Sequence, residues 1–477
     1  MLLEVRKAAI KLNRFRILRY LGLLLKKLIL TFFIFSLKRM KEVKFVYLRN
    51  PLRYESFSLT TDFDITIITD NMKFVEKKKF LEKFALLLNF FRLFFFEGEV
   101  EVFSLKEMKV WCKFARVDDE TKNWILLYSR NNKPFRFDSR GMVDDRLISL
   151  ERMFYEYYEG LLWRNYFLRL NPCYYYPRPF YKLFLKIMRL AIYTSTGLFI
   201  SREREIFDVL LQGERNPRVR RWLKKLISVY PSFQMSRDKE FLFNGMSILL
   251  YMLDKFLSDV DKVLGRKKVT RIVGVEKLFE NYEWKKKFPR LSKIKCIRFV
   301  GTLSSSSSYE RSALLIIRKN SKLDEIKEVI KSVKRVSSKK GIKFTVLTEN
   351  MLNAYCMTGW GALKIFHLVE EQKPFLGKKI RMDFKPTSMA YLMATSPLLI
   401  FTELDVKQIL SYLLTLYLFS VTGKIFTMPE AFQEFFFKEG KSKFWKVEKN
   451  KIFVHKPWEL TDFLTREIVN FLYEWKG

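Results

Sequence analysis

Two aspartates stand one residue apart in the stretch TTDFDITIITD, at Asp62 and Asp64, and lead into an apolar run. On a strand, residues i and i+2 point to the same side. Two ionised carboxylates so placed repel each other unless a cation sits between them. Mg²⁺ is a natural candidate, since it takes oxygen ligands from one or two carboxylates and completes its shell with water and phosphate. Two such ions about 3.5–4 Å apart clamp the attacking and leaving oxygens of an in-line phosphoryl displacement. A third carboxylate on a neighbouring strand would complete the cradle. Glu101 is placed for it, with Glu99 on the same face. The plain alternative is a strand-entry cap or an ion pair with one of the many basic residues.

The flanking pattern supplies elements to hold these groups. Phe45–Leu48 and Asp64–Thr69 read as strands, with a polar loop between them. Residues 74–94 carry apolar side chains at helical spacing. Residues 99–103 alternate like a strand, and Trp124–Tyr128 reads as another. From Asp144 to about Tyr282 the pattern is mostly helical.

The same order then recurs. Ile297–Val300, Ala313–Ile317 and Ile342–Leu347 read as strands, with an amphipathic helix from Leu323 to Val336 before the third. GEVEVFSLKEM at 98–108 aligns with GIKFTVLTENM at 341–351. Helical stretches, Phe241–Phe256 and Val406–Phe419, follow the two passages. This order predicts a tandem duplication. In that alignment Arg311 and Ala313 stand where the aspartates would be, and Phe344 where the third acid would be, so the second copy should bind no metal.

Strand, polar loop, DxD before an apolar strand, amphipathic helix and acidic strand together resemble the polymerase-beta-type nucleotidyltransferase superfamily. The family motif is Gly-Ser, some ten residues, then Asp-hydrophobic-Asp-hydrophobic, with a later third carboxylate. The resemblance implies an α+β fold of two mixed-sheet modules, each followed by a helical region. It implies two Mg²⁺ ions on Asp62, Asp64 and Glu101, and a nucleoside triphosphate as nucleotide donor. Where the family has Gly-Ser, the first copy has Arg49-Asn50, in which Arg49 supplies charge but close backbone approach is lost. The second copy retains Gly301-Thr302, ahead of the serines Ser304–Ser308.

Composition narrows the partners. The 477 residues hold 89 Lys+Arg against 51 Asp+Glu, a net charge of +38, which favours polyanions, nucleic acid above all. Six cations crowd into residues 215–225: Arg215, Arg218, Arg220, Arg221, Lys224 and Lys225. Residues 174–182 interleave tyrosines, a phenylalanine and cations, a pairing suited to unpaired bases and phosphates or, equally, to core packing. Two histidines exclude a histidine triad or a multi-histidine metal site, and four dispersed cysteines point to a reducing, intracellular compartment. Residues 1–41 carry eleven Lys/Arg and one acid. Their apolar run, Leu28–Leu37, is about half a bilayer span, and Lys26-Lys27 interrupt a longer one. They read as one or two basic amphipathic helices, not a transmembrane segment, with membrane-surface contact or organelle targeting as alternatives.

The expected organisation is a basic helical segment (1–41), a DxD-bearing module (42–140), a helical RNA-binding region (141–290), a degenerate module (291–355) and a mainly helical C-terminal region (356–477). The expected activity is metal-dependent transfer of a nucleotide from a nucleoside triphosphate to an RNA 3′ hydroxyl. One alternative is a non-catalytic RNA-binding or ribonucleoprotein scaffold. Another is transfer to a small molecule or protein, which the charge disfavours.

Overall fold

The computed structural model describes residues 15–49, 63–72, 74–92, 100–114, 121, 124–138, 142, 144–155, 157, 177–198, 200, 203–229, 239–265, 270–273, 288–303, 312–340, 343–358, 361, 379–382, 406–422, 445–448, 451–454 and 457–474. In chain order the first elements are α1 (Arg16–Lys38), β1 (Val43–Leu48), β2 (Ile65–Thr69), α2 (Phe74–Arg92), β3 (Val100–Ser104), α3 (Leu105–Phe114) and β4 (Ile125–Ser129). Helices α4 (Asp145–Tyr155), α5 (Pro177–Thr196), α6 (Glu203–Gly213), α7 (Pro217–Val229), α8 (Lys239–Phe256) and α9 (Val260–Val263) follow, then β5 (Thr270–Val273), β6 (Ile297–Leu303) and β7 (Ser312–Ile317). The rest comprises α10 (Leu323–Lys340), β8 (Lys343–Thr348), α11 (Glu349–Met357), β9 (Lys379–Met382), α12 (Val406–Thr422), β10 (Trp445–Glu448), β11 (Lys451–Val454) and α13 (Pro457–Glu474).

The chain is a mixed α+β protein of two compact units: 1–143 with 393–426 and 430–477, and 144–392 with 427–429. The first unit holds a sheet ordered β3-β2-β1-β4, in which β1 runs antiparallel to β2 and β4, and β2 parallel to β3. β2 is buried along its whole length and reads accordingly as an unbroken apolar and threonine run. One sheet face packs under α1 and α2, through Phe33, Leu37, Val46, Ile65, Ile67, Phe80 and Phe84. α1 is one continuous helix of 23 residues. Lys26 does not break it, because that side chain is 7% exposed and its ammonium lies over the Phe63 ring at 5.4 Å. The other face carries an aromatic cluster, Tyr47, Phe103, Trp111, Trp124 and Phe137.

The second unit holds the sheet β6-β7-β8, with β6 antiparallel to β7 and β7 parallel to β8. Helices α8, α10 and α11 pack around it, and the Tyr157 hydroxyl donates to the Val346 carbonyl at 3.0 Å. The order β6-β7-α10-β8-α11 repeats β1-β2-α2-β3-α3, with the same strand directions. In both, the third strand runs straight into a helix through a side-chain cap. Ser104 accepts from the Glu107 N–H at 3.2 Å while Glu107 accepts from the Ser104 N–H at 2.6 Å, a reciprocal capping box. Thr348 accepts from the Met351 N–H at 3.2 Å. Thr69 faces Ser104 and Ile317 faces Thr348 in the two parallel ladders.

Matching the caps corrects the alignment read from the sequence by one residue. β8 has one more residue before its cap than β3. Glu101 therefore corresponds to Thr345, not Phe344. Asp64 corresponds to Ser312, not Ala313, and the counterpart of Asp62 is Glu310, outside the described residues.

The expected domain boundaries regroup. The helices of 144–265 share a unit with the second sheet, and α12 and α13 share one with the first. α13 packs on α3, and Lys113 of α3 donates to the Leu472 and Tyr473 carbonyls, each at 2.9 Å. The C-terminal region also contains strands: β9 pairs with β5, and β10 with β11 as an antiparallel ladder.

Candidate nucleic-acid interface and carboxylate site

Two of the predicted carboxylates, Asp64 and Glu101, lie at the corner where β1 ends and β2 begins. The Arg49 N–H donates to the Asp64 carbonyl at 2.8 Å, which joins the two strands just beyond their ladder. Thr66 pairs with Glu101 in the β2–β3 register, and its hydroxyl donates to Glu101 Oε2 at 3.5 Å. Both side chains therefore share one sheet face. Asp64, two residues before Thr66, falls on that face by the strand period.

The cation at this corner is a side chain. Arg49 Nη1 donates to Glu101 Oε1 at 3.0 Å, and the arginine side chain is 14% exposed against 38% for the glutamate. Among the described residues no group of three or more His, Cys, Asp or Glu is placed to hold a metal ion. Asn50, Asp62 and Glu99 lie outside the described residues. Within the described residues, the charge that meets Glu101 is the Arg49 guanidinium. The pairing of Arg49 with Glu101, 52 residues apart, has no signal in sequence spacing.

A cavity of about 290 Å³ opens at the opposite, C-terminal ends of β2 and β3. Thr69, Asp70, Asn71, Ser104, Lys106 and Glu107 line it with Asp462, Arg466 and Asn470 of α13. Its charges are mostly matched: Lys44 pairs with Asp70 at 3.0 Å, Arg466 lies 3.6 Å from Asp462, and Lys106 donates to Asn470. Sequence reasoning missed this cavity, because its two sides come from opposite ends of the chain.

The basic run at 215–225 becomes helix α7. Asn216 caps it by accepting from the Arg218 N–H at 3.0 Å, and Pro217 fills the first helical position, where no donor is needed. Val219, Trp222, Leu223 and Leu226 are buried on one side. At 100° per residue, Arg218, Arg220, Arg221, Lys224 and Lys225 fall on the other, and all five are exposed, as is Arg215 ahead of the helix. Arg218 is held in an ion pair with Asp324 of α10, at 2.8 Å. That pair sets the beginnings of α7 and α10 side by side.

Further along, the start of α8 lies against both helices. Trp222 Nε1 donates to the Phe241 carbonyl at 3.1 Å, and the two rings stack with centroids 5.1 Å apart. Lys225 lies over the Phe241 ring at 5.1 Å and Lys334 of α10 over the Phe243 ring at 5.8 Å. On α10, Lys331 and Arg335 are exposed, with Glu328 the acid among them. The result is a cationic strip across two helices, laid over the buried ring of Phe241 and the half-buried ring of Phe243, a surface that can meet phosphates. Of the 174–182 cluster, Tyr174–Tyr176 lie outside the described residues, as do the serines 304–308.

Elsewhere burial raises the pKa of several groups. The Asp254 carboxyl of α8 is pushed up by desolvation, against hydrogen bonds that include the Asn320 N–H at 2.7 Å. Burial raises the Cys296 thiol to about 11 and holds Cys356 well above its ordinary value. These two and Cys112 are buried and form no disulfide. Comparison with protein families, with characterised proteins and with solved structures finds no match to this chain.

Proposed function

We propose that this protein is a non-catalytic RNA-binding scaffold of a ribonucleoprotein, with the α7–α10 strip of the second unit as its RNA-binding face. The observation that carries the reading is the clean division of α7: four buried apolar residues on one side, five exposed cations on the other. Core packing uses the first side fully; on the second, Arg218 is held by Asp324 and Lys225 covers Phe241, while Arg220, Arg221 and Lys224 face solvent. A net charge of +38 works in the same direction. The half-buried Phe243 ring beside Lys334 keeps some surface for stacking, which favours single-stranded or structured RNA over duplex readout. The buried cysteines without disulfides agree with a reducing, intracellular setting.

The repeated strand and helix order supports descent of both sheets from one module resembling the nucleotidyltransferase superfamily. Ser312 and Thr345 at two of the three acid positions of the second copy, where only Glu310 keeps a carboxylate, support loss of its chemistry. A second reading, nucleotide transfer by the first copy, is favoured by the shared sheet face of Asp64 and Glu101. It requires Glu101 to leave Arg49. Incubating the full chain with labelled nucleoside triphosphates, Mg²⁺ and RNA separates the two. Salt-sensitive RNA binding without incorporation is the expected result. Product that disappears in Asp62→Ala/Asp64→Ala would replace the scaffold reading by the enzymatic one.

A further inference from the structure

Helix α1 buries one side on the first sheet and leaves the opposite side bare. Ile17, Leu21, Leu24, Leu25, Leu28, Phe32 and Phe35 are all exposed, between 45% and 75%. Their spacing places them on one face of the helix. From Ile17 to Phe35 that stripe is about 27 Å long at 1.5 Å per residue. A continuous apolar surface of this extent marks a contact site.

The segment Tyr20–Lys38 is long and apolar enough to cross a membrane by length and composition alone. In this fold it is committed otherwise. Leu30, Phe33, Ile34 and Leu37, on its inner side, belong to the sheet core. The helix can therefore lie along an apolar boundary but cannot be surrounded by one.

Charge selects the occupant. α1 contains no acid. Exposed Lys27, Lys38, Arg39 and Lys41 accompany the stripe, and the Arg39 guanidinium lies over the ring of Phe35 at 4.6 Å. Pairing with a second copy would bring these cations together. A bilayer with anionic headgroups takes the stripe into its acyl boundary and the cations against its phosphates. We propose that α1 docks the first unit onto an anionic membrane surface, lying in the plane of the interface.

The test is sedimentation of the nuclease-treated full chain with phosphatidylcholine vesicles containing about 30% phosphatidylglycerol, compared with phosphatidylcholine alone. Wild type is expected to pellet with the anionic vesicles and weakly with the neutral ones. Leu21→Ser/Leu28→Ser/Phe32→Ser, all solvent-facing substitutions, should lose roughly tenfold or more in partitioning while RNA binding is unchanged. Leu28→Trp supplies a second readout, in which the tryptophan emission should shift to the blue on the anionic vesicles. Failure of wild type to pellet, full retention of pelleting by the triple variant, or no emission shift would each overturn the proposal. A dimer of wild type that the triple variant dissolves, with no vesicle binding, would instead identify a second copy as the occupant.

Discussion

Replacing Arg220, Arg221 and Lys224 by glutamine tests whether the outer side of α7 meets RNA phosphates. These side chains are exposed, on the side away from Val219, Leu223 and Leu226, so the helix and its packing should survive. On a single strand each neutralised phosphate adds about 0.7 to the log–log salt slope. At about 0.15 M salt that is roughly 0.6 log units, or about fourfold in affinity, per phosphate. Removing three cations at once should weaken binding about 50-fold and flatten the slope by about 2. Arg218 is left in place because Asp324 holds it. Phosphates met by Arg215, Arg220, Arg221, Lys224, Lys225, Lys331 and Arg335 would give wild type a slope of about −5. Fluorescence anisotropy of a labelled single-stranded RNA, titrated across KCl concentrations, reads both quantities. A slope that stays at its wild-type value in a variant with an unchanged thermal midpoint would refute the reasoning.

Three further outcomes rest on particular interactions. Glu101→Gln should cost under about 1 kcal/mol in urea denaturation, since the glutamate is half-open to water, and should leave RNA binding intact; abolition of a nucleotide-incorporating activity would contradict this. Asp254 binds its proton more tightly folded than unfolded, so its contribution to stability is lost as pH rises from about 4 through the raised value. Asp254→Asn should therefore flatten urea midpoints across that window and match or exceed wild type at neutral pH; a wild-type advantage that grows with pH would reverse the sign. Ser104→Ala and Thr348→Ala, the caps of the two equivalent helices, should each cost about 0.5–2 kcal/mol by thermal denaturation; negligible loss at both would remove the caps as the anchors of the repeat.

Much of the framework is legible in the residues, for physical reasons. β2 and β7 are buried on both faces, so their apolar runs name them without context. α2, α10 and the basic side of α7 declare themselves by helical spacing. The short helices α3 and α11 leave no such mark, because each strand enters its helix through a single capping residue, with no glycine or proline to signal a turn. α1 looks interrupted at Lys26-Lys27, yet a long lysine stem can lie on apolar surface and rest its charge on a ring. The packing of α13 on α3 and the ion pair of Arg49 with Glu101 depend on chain segments far apart in sequence, and periodicity carries no information about either. The aspartate pair suggests a metal because opposite charge is needed there. At Glu101 the structure places the Arg49 guanidinium, a residue whose position in the motif points to phosphate.

The central claim is that RNA rests on the cationic strip of the second unit. Ultraviolet crosslinking of the full chain to single-stranded RNA, followed by mass spectrometry of the crosslinked peptides, reads the contact directly. The account predicts RNA-bearing peptides from residues 215–225, 241–243 and 331–335. Crosslinks confined to the Arg49, Asp64 and Glu101 corner, with none on α7, α8 or α10, would contradict it.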